Sequence, residues 1–261
     1  MKTLLIIFLS ISLTACSLGS TAYKHLDYVV LWYTSDYVSL DKSQKLHLSE
    51  VTKHFVAWHR SNEIEKYKVV LAEFKQDIAQ QTMTDERANY YRQQIRFFLS
   101  KVRFYLSPHL IPLLNSLSDS QYTQIVEALD KEVNSDKKPL TSDEKIKKMQ
   151  DELEEWYGTL KPAQLNILAN INAKREVQAP IWRAANQAWL DTFKEASKQA
   201  QTPRSQAIKA LLLETLTPSD SGDYSEREEW MQVWRLADEA QRQSILDKLS
   251  EYQELLDDVS N

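Results

Sequence analysis

Apolar residues spaced three and four positions apart run along almost the whole chain, and this spacing constrains the fold most. The longest run takes five consecutive steps of this size: Ala88, Tyr91, Ile95, Phe98, Val102 and Tyr105. Side chains at such steps lie on one face of an α-helix. Because similar stripes recur in nearly every segment, the sequence predicts an all-α fold, an elongated bundle of long antiparallel helices.

Composition supports this fold class. The chain has 261 residues but only 3 glycines and 7 prolines, whereas hairpin-rich β folds need many turn glycines. The segment 23–37 is aromatic and β-branched and resembles a strand by propensity. Its apolar residues Leu26, Val29, Tyr33 and Tyr37 nevertheless keep helical spacing, so a helix is predicted there.

Capping residues and prolines mark the predicted helix boundaries. Three starts carry a capping box, in which a short polar residue is followed three positions later by Gln or Glu: Asp41 with Gln44, Ser118 with Gln121, and Thr141 with Glu144. The long stripe that ends at Tyr105 is predicted to stop near Pro108, and Pro180 is predicted to open a new helix.

Two different patterns recur at one offset. The first, Tyr-x-(Ser/Thr)-Leu-x-x-x-Gln, ends at Gln44 and again at Gln164; the second begins at Gln121 and again at Gln241. Both offsets are 120 residues, which predicts a tandem duplication into helical halves 23–140 and 141–261. The alternative is that the same helix-capping pattern occurs independently at several helix starts.

The first residues carry a targeting signal. Lys2 precedes a short apolar run, Leu4–Leu13, followed by Leu13-Thr14-Ala15-Cys16. The run is too short to span a bilayer, and the four residues resemble a bacterial lipobox. That resemblance implies a signal peptide at 1–15, an acylated Cys16, and a lipidated tether at 16–22. The alternative is an ordinary signal peptide with a chance cysteine.

Ser17 indicates the cellular location, and the net charge indicates which classes of partner are disfavoured for the protein body. In lipoproteins of this type, a serine after the cysteine resembles the signal for the outer membrane, so the periplasmic face of that membrane is expected. The net charge is −5, which argues against nucleic acid and against anionic headgroups as partners of the protein body. Cys16 is the only cysteine, so no intramolecular disulfide can form.

One arrangement could hold a metal ion. His47, Glu50 and His54 are three and four positions apart and would share one helical face. The sequence nominates no fourth ligand, and a solvated polar face explains the pattern equally simply. No metal and no other cofactor is therefore predicted.

Three consecutive residues with side chains suited to binding are Trp58-His59-Arg60. These residues could bind a partner, with Trp58 as an apolar anchor and Arg60 facing a carboxylate or phosphate. The alternative is a helix end with Trp58 in the core and two cations near the C-terminal carbonyls. The sequence contains no serine in a nucleophile elbow and no free cysteine once Cys16 is acylated, so no catalytic residue is predicted.

Several short segments resemble a known family. Behind the lipobox these are Tyr23-x-x-Leu26-Asp27, Asp36-Tyr37-x-x-Leu40-x-x-x-Gln44 and Ala57-Trp58-His59-Arg60. Together they resemble a family of proteobacterial lipoproteins that is filed as a domain of unknown function. The resemblance covers most of the mature chain and implies an exported lipoprotein, but no activity or catalytic residue.

A second resemblance rests on one short motif. Three segments look like the Leu-Thr-x-x-Gln motif of the periplasmic helical proteins Spy and CpxP: Leu40–Gln44, Leu117–Gln121 and Leu160–Gln164. None has threonine at the second position. Those proteins bind unfolded clients or serve envelope-stress sensing, so the resemblance implies a similar role. Physically, the motif is a hydrophobic staple with a capping box, which starts a helix.

These observations lead to two expected functions. The first is a non-enzymatic lipoprotein on the periplasmic face of the outer membrane that binds an envelope protein as an assembly factor or chaperone-like module. The alternative is an envelope enzyme or metal-dependent binder centred on His47, Glu50, His54 and His59.

Overall fold

The computed structural model describes residues 16–135, 138–215 and 226–260. Within these ranges the chain forms eleven α-helices and no strand, which confirms the predicted all-α class. The helices are α1 (Cys16–Lys24), α2 (Leu26–Ser35), α3 (Lys42–Asn62), α4 (Ile64–Gln80), α5 (Asp85–Ser116), α6 (Asp119–Val133), α7 (Ser142–Tyr157), α8 (Pro162–Ser197), α9 (Gln201–Thr215), α10 (Arg227–Arg235) and α11 (Glu239–Ser260).

The predicted capping boxes set the starts of three helices. At α3, the Asp41 carboxylate accepts a hydrogen bond from the Gln44 amide, and the Gln44 side chain accepts one from the Asp41 amide. The same reciprocal arrangement begins α6 and α7, formed by Ser118 with Gln121 and by Thr141 with Glu144. Each box pairs amides that a helix start leaves without partners, so these predicted boundaries are confirmed.

Two predicted boundaries at proline are wrong. Helix α5 continues through Pro108 and Pro112, and α8 continues through Pro180. All three prolines lie on exposed faces, where water can bond the carbonyl that a proline ring leaves without its helical donor. Beyond the prolines, buried Leu114 in α5 and Leu190 in α8 hold the continuing helices against the core.

The long helices join two apolar lobes. In the first lobe, the C-terminal ends of α5 and α8 pack with α6 and α9 around a core that includes Leu114, Tyr122 and Leu190. In the second lobe, the start of α8 packs with α7 and α10, and the end of α4 packs with α7, α10 and α11. At about 1.5 Å per residue, α5 and α8 are about 48 and 54 Å long, so each reaches from one lobe to the other.

A pair of buried glutamines lies in the first lobe. Gln44 Nε2 donates to Gln121 Oε1 at 3.0 Å, and Gln121 Nε2 donates to Gln44 Oε1 at 2.6 Å. The second N–H of each amide bonds a backbone carbonyl, that of Ser116 for Gln44 (2.6 Å) and that of Ser39 for Gln121 (2.9 Å). Two capping boxes are thus joined side by side.

The second lobe contains the corresponding pair 120 residues later. Gln164 Nε2 donates to Gln241 Oε1 at 3.2 Å, and Gln241 Nε2 donates to Gln164 Oε1 at 2.9 Å. Their remaining N–H groups bond the Val233 and Thr159 carbonyls at 3.1 and 2.9 Å. Partners in both pairs are 77 residues apart in the chain.

The last helix of each sequence half packs against the other half. Helix α6 packs on α8, and α11 packs on α4. An offset of 120 residues places α6 onto the start of α11 and α4 onto the C-terminal part of α8. Lys194 of α8 pairs with Asp130 of α6, and Lys75 of α4 bonds Gln253 of α11 at 2.7 Å. A tandem duplication whose halves pair about an approximate twofold axis would produce this reciprocal packing, and the duplication stays a prediction.

The predicted signal peptide, residues 1–15, lies outside the described residues. The segment predicted as a tether, 16–22, instead belongs to α1, which packs on α2 and α11. Ser20 is buried, and Lys24 forms an ion pair with Asp258 at 3.9 Å. Of the helices in the described residues, none is both long and apolar enough to cross a bilayer.

Candidate functional site

His59 lies in the last turn of α3 and joins three helices. Its Nδ1 lies 2.9 Å from the hydroxyl of Tyr23 in α1, and its Nε2 lies 3.0 Å from the hydroxyl of Tyr67 in α4. A neutral imidazole donates from one nitrogen and accepts at the other. One tyrosine therefore donates to the ring and the other accepts from it.

Aromatic rings surround this polar line and extend it to α5. Phe55 stacks on His59 with ring centroids 5.3 Å apart, and Trp58 stacks on Tyr105 at 4.3 Å. Tyr67 meets Phe98 of α5 at 4.5 Å. We call Tyr23, Phe55, Trp58, His59, Tyr67, Phe98 and Tyr105 the anchor-proximal cluster, because Tyr23 is seven residues after the predicted lipid site.

Burial keeps this cluster uncharged near neutral pH. Desolvation lowers the pKa of His59 to about 4, although the nearby Glu63 carboxylate opposes the shift. Burial also raises the pKa of Tyr23 to about 12 and moves the pKa of Tyr67 above its ordinary value. The three side chains therefore form a neutral hydrogen-bonded joint between α1, α3 and α4, not a charged binding site.

The His59→Gln variant should reduce the dependence of stability on pH. The pKa of the histidine is about 4 when folded and about 6.5 when unfolded. Between these values the unfolded chain binds more protons, so stability falls as pH falls. Wild type should lose about 3 kcal/mol more than the variant between pH 7 and 4. Urea unfolding at several pH values measures this difference, and exposed His54→Gln serves as control. Equal pH profiles for wild type and His59→Gln would contradict the joint.

In the structure Trp58, His59 and Arg60 lie together, and none of their side chains is fully exposed to solvent. All three are partly buried, and the rings of Trp58 and His59 pack on neighbours within the fold. Arg60 Nε is buried without a hydrogen-bond partner among the described residues, as is one carboxylate oxygen of Glu63. The packing of Trp58 and His59 against the fold agrees with the helix-end interpretation, except that the buried His59 is neutral near pH 7 and not a cation. The partner-binding hypothesis for the three residues stays a prediction.

The predicted alternative, a metal site, gains no support from the described residues. His47 is partly buried, and its Nε2 has no hydrogen-bond partner within the described part of the chain, whereas Glu50 and His54 are exposed. Across residues 16–135, 138–215 and 226–260, no group of three or more His, Cys, Asp or Glu side chains is placed to hold a metal ion.

A second face of α5, next to the packed one, presents aromatic rings to solvent. Tyr91, Phe98 and Tyr105 face the protein, whereas Phe97 and Phe104, seven residues apart, are 48% and 81% exposed. Between them Lys101 places its ammonium 5.0 Å from the centroid of the Phe97 ring. With Pro108, Ile111 and Asn115 these residues follow steps of three and four along one face, which we call the outer α5 stripe.

The stripe leads into a shallow depression between α5 and α9. Its volume is about 370 Å³, and its wall includes Ile111, Asn115, Ala210 and Leu213. The side-chain oxygen of Asn115 is buried and has no hydrogen-bond partner among the described residues. The depression thus offers mainly apolar contacts, and the Asn115 oxygen lies buried in its wall.

Sequence reasoning missed this surface because it assigned nearly all aromatic residues to the core. A usable signal was present: Phe97 and Phe104 lie off the stripe that contains Tyr91, Phe98 and Tyr105. Helical spacing places the two sets on different faces. A helix that is apolar on a second face needs either a second packing partner in the fold or a partner outside it.

Comparison with known proteins identifies the family. A model described as a family of unknown function (DUF6279) matches residues 36–220, more than half of the chain. Searches of curated proteins and of solved structures gave no match. The matched region includes α3 to α9, and with them the first glutamine pair and the outer α5 stripe. The chain therefore belongs to the family of unknown function DUF6279.

Proposed function

We propose that this protein is a non-enzymatic lipoprotein on the periplasmic face of the outer membrane, which binds another envelope protein as an assembly factor or chaperone-like module. The acyl chains on Cys16 hold it at the membrane. The helical body presents the binding surface to its partner.

The outer α5 stripe is the observation that carries the binding proposal. Phe104 is 81% exposed on a helix whose neighbouring face, with Tyr105, is already packed against Trp58. Exposed aromatic rings beside an apolar depression are typical of protein interaction sites. The depression and its Asn115 oxygen lie on the same face as Phe97 and Phe104, so an amphipathic helix of a partner could lie along α5 with its apolar side inward.

Three observations support the anchoring proposal. The sequence Leu13-Thr14-Ala15-Cys16 resembles a lipobox. No helix of the described residues is long and apolar enough to span a bilayer. Helix α1, which begins at the predicted lipid site, is held to the body by the contacts of Ser20, Tyr23 and Lys24.

Photo-crosslinking in intact cells tests the binding proposal. With benzoylphenylalanine at Phe104, irradiation should give a discrete crosslinked species; the same amino acid at exposed Lys148 of α7 is the matched control. Adding Phe97→Ser should weaken the Phe104 crosslink several-fold without lowering the melting temperature, because Phe97 is half exposed. Equal crosslinking at Phe104 and Lys148, or no effect of Phe97→Ser, would contradict binding at the outer α5 stripe.

A further inference from the structure

Helix α2 presents two large aromatic side chains to solvent. Tyr28 is 67% exposed and Trp32 is 70% exposed. They are four residues apart and therefore lie on one face of the helix. We call this face the outer α2 face.

Among residues 16–135, 138–215 and 226–260, no helix packs over this face. Helix α2 packs on α1 and α3, and its buried side includes Leu26 and Asp27, the latter bonded to Ser49 at 2.8 Å. Seven of its ten residues, in the sequence LDYVVLWYTS, are apolar or aromatic. A helix that is apolar around most of its circumference is normally covered on every side.

The helix 120 residues later provides a comparison for the side chains at these two exposed positions. An offset of 120 residues places Tyr28 at Lys148 and Trp32 at Glu152, both on α7. Their side chains are 69% and 65% exposed and form an ion pair at 4.0 Å. Helix α7 packs on α8 just as α2 packs on α3. At matched exposure, one half therefore has a charged surface pair and the other has Tyr and Trp.

We propose that the outer α2 face docks onto the bilayer that carries the lipid anchor, with Tyr28 and Trp32 at the level of the lipid headgroups. The proposal rests on the proposed acylation of Cys16. It adds a second contact with the membrane and fixes which side of the helical body faces it.

The position of the face relative to the anchor supports this occupant. Trp32 is 16 residues after Cys16, so the two are separated by at most about 24 Å along α1 and α2. The α1 helix is fixed to the body because Tyr23 bonds His59 and Lys24 pairs with Asp258. A lipid on Cys16 therefore brings the outer α2 face close to the membrane surface, whereas α7 belongs to the other half of the chain.

The chemistry of the face also fits a lipid surface. Trp and Tyr combine an apolar ring with one polar group and are enriched where hydrocarbon meets water. Docking of this kind depends on aromatic rings and not on cations, so it agrees with the net charge of −5. A protein partner on the same face is the competing occupant.

Spin-label depth measurements distinguish these occupants. The full-length acylated protein is reconstituted into vesicles of phosphatidylethanolamine and phosphatidylglycerol, with a nitroxide on Tyr28→Cys. Cys16 is the only native cysteine, and acylation protects it from the label. The matched control carries the nitroxide on Lys148→Cys. Collisions with a water-soluble nickel chelate should be several-fold rarer at position 28 than at position 148, and collisions with oxygen should be more frequent.

Removing the second ring tests the face itself. Trp32→Ser in the Tyr28→Cys background should raise nickel access toward the value at position 148, while the thermal melt stays unchanged because Trp32 is exposed. Free nickel access at position 28 in protein that still floats with the vesicles would overturn docking and leave the anchor intact. Exclusion of both nickel and oxygen there would overturn docking and show that a second copy of the chain covers the face. Failure of the acylated protein to float would overturn both the anchor and the docking.

Discussion

Gln164→Ala should lower the free energy of unfolding by about 3 kcal/mol, since it removes a fully buried side chain with three hydrogen-bonded neighbours. The Gln164 side chain is 0% exposed. Its loss leaves the Lys161 amide, the Val233 carbonyl and one N–H of Gln241 without their partners. Each orphaned buried group adds a desolvation cost, and the missing side chain adds a small cavity.

Urea unfolding followed by circular dichroism measures this loss. The matched control is Gln243→Ala on α11, whose exposed side chain bonds only Asp247 and should change stability by less than about 0.5 kcal/mol. The Gln164→Ala/Gln241→Ala double variant should lose less than the sum of the single variants, because each single change leaves the other glutamine unpaired. A loss no larger than that of the control, or strict additivity, would contradict the paired arrangement.

The helices were predictable wherever the signal is local. Capping boxes at Asp41, Ser118 and Thr141 fix helix starts through hydrogen bonds that span three residues, and apolar spacing identifies the buried faces. Pro108 and Pro180 misled the prediction because the effect of a proline depends on whether its side of the helix meets water. That exposure is set by packing between distant elements, which local sequence does not contain.

The hydrogen-bonded pairing of the glutamines could not be predicted from local sequence, because it also depends on packing between distant elements. The 120-residue offset identified Gln44, Gln121, Gln164 and Gln241 as equivalent positions, but capping alone explained each of them. Their mutual hydrogen bonds join residues that are 77 positions apart. Only the tertiary fold shows that the same side chain that caps one helix also fixes the start of another.

The candidate sites likewise contain features that the sequence predicts and features that only the fold shows. The motif Trp58-His59-Arg60 was visible in the sequence, but its inward orientation depends on Tyr23, Tyr67 and Tyr105, which belong to three other helices. The outer α5 stripe and the outer α2 face escaped prediction, because an aromatic residue in a helix is more often core than surface. Their exposure became evident only after the packed face of each helix was known.

Replacing Cys16 with serine should move the protein from the membrane to the soluble fraction. The proposed acyl chains on Cys16 would supply the main membrane affinity. None of the helices in the described residues is long and apolar enough to span a bilayer, and the two rings of the outer α2 face would add only an interfacial contact. Two exposed aromatic side chains are too small a surface to retain the body after the acyl chains are lost.

Membrane fractionation combined with labelled fatty acid tests this central claim most directly. Wild type should carry the label and sediment with the outer membrane, whereas Cys16→Ser should carry no label and stay in the soluble periplasmic fraction. A Cys16→Ser protein that lacks the label but still sediments with the membrane would rule out the lipid on Cys16 as the anchor, because some other part of the chain would then hold it there.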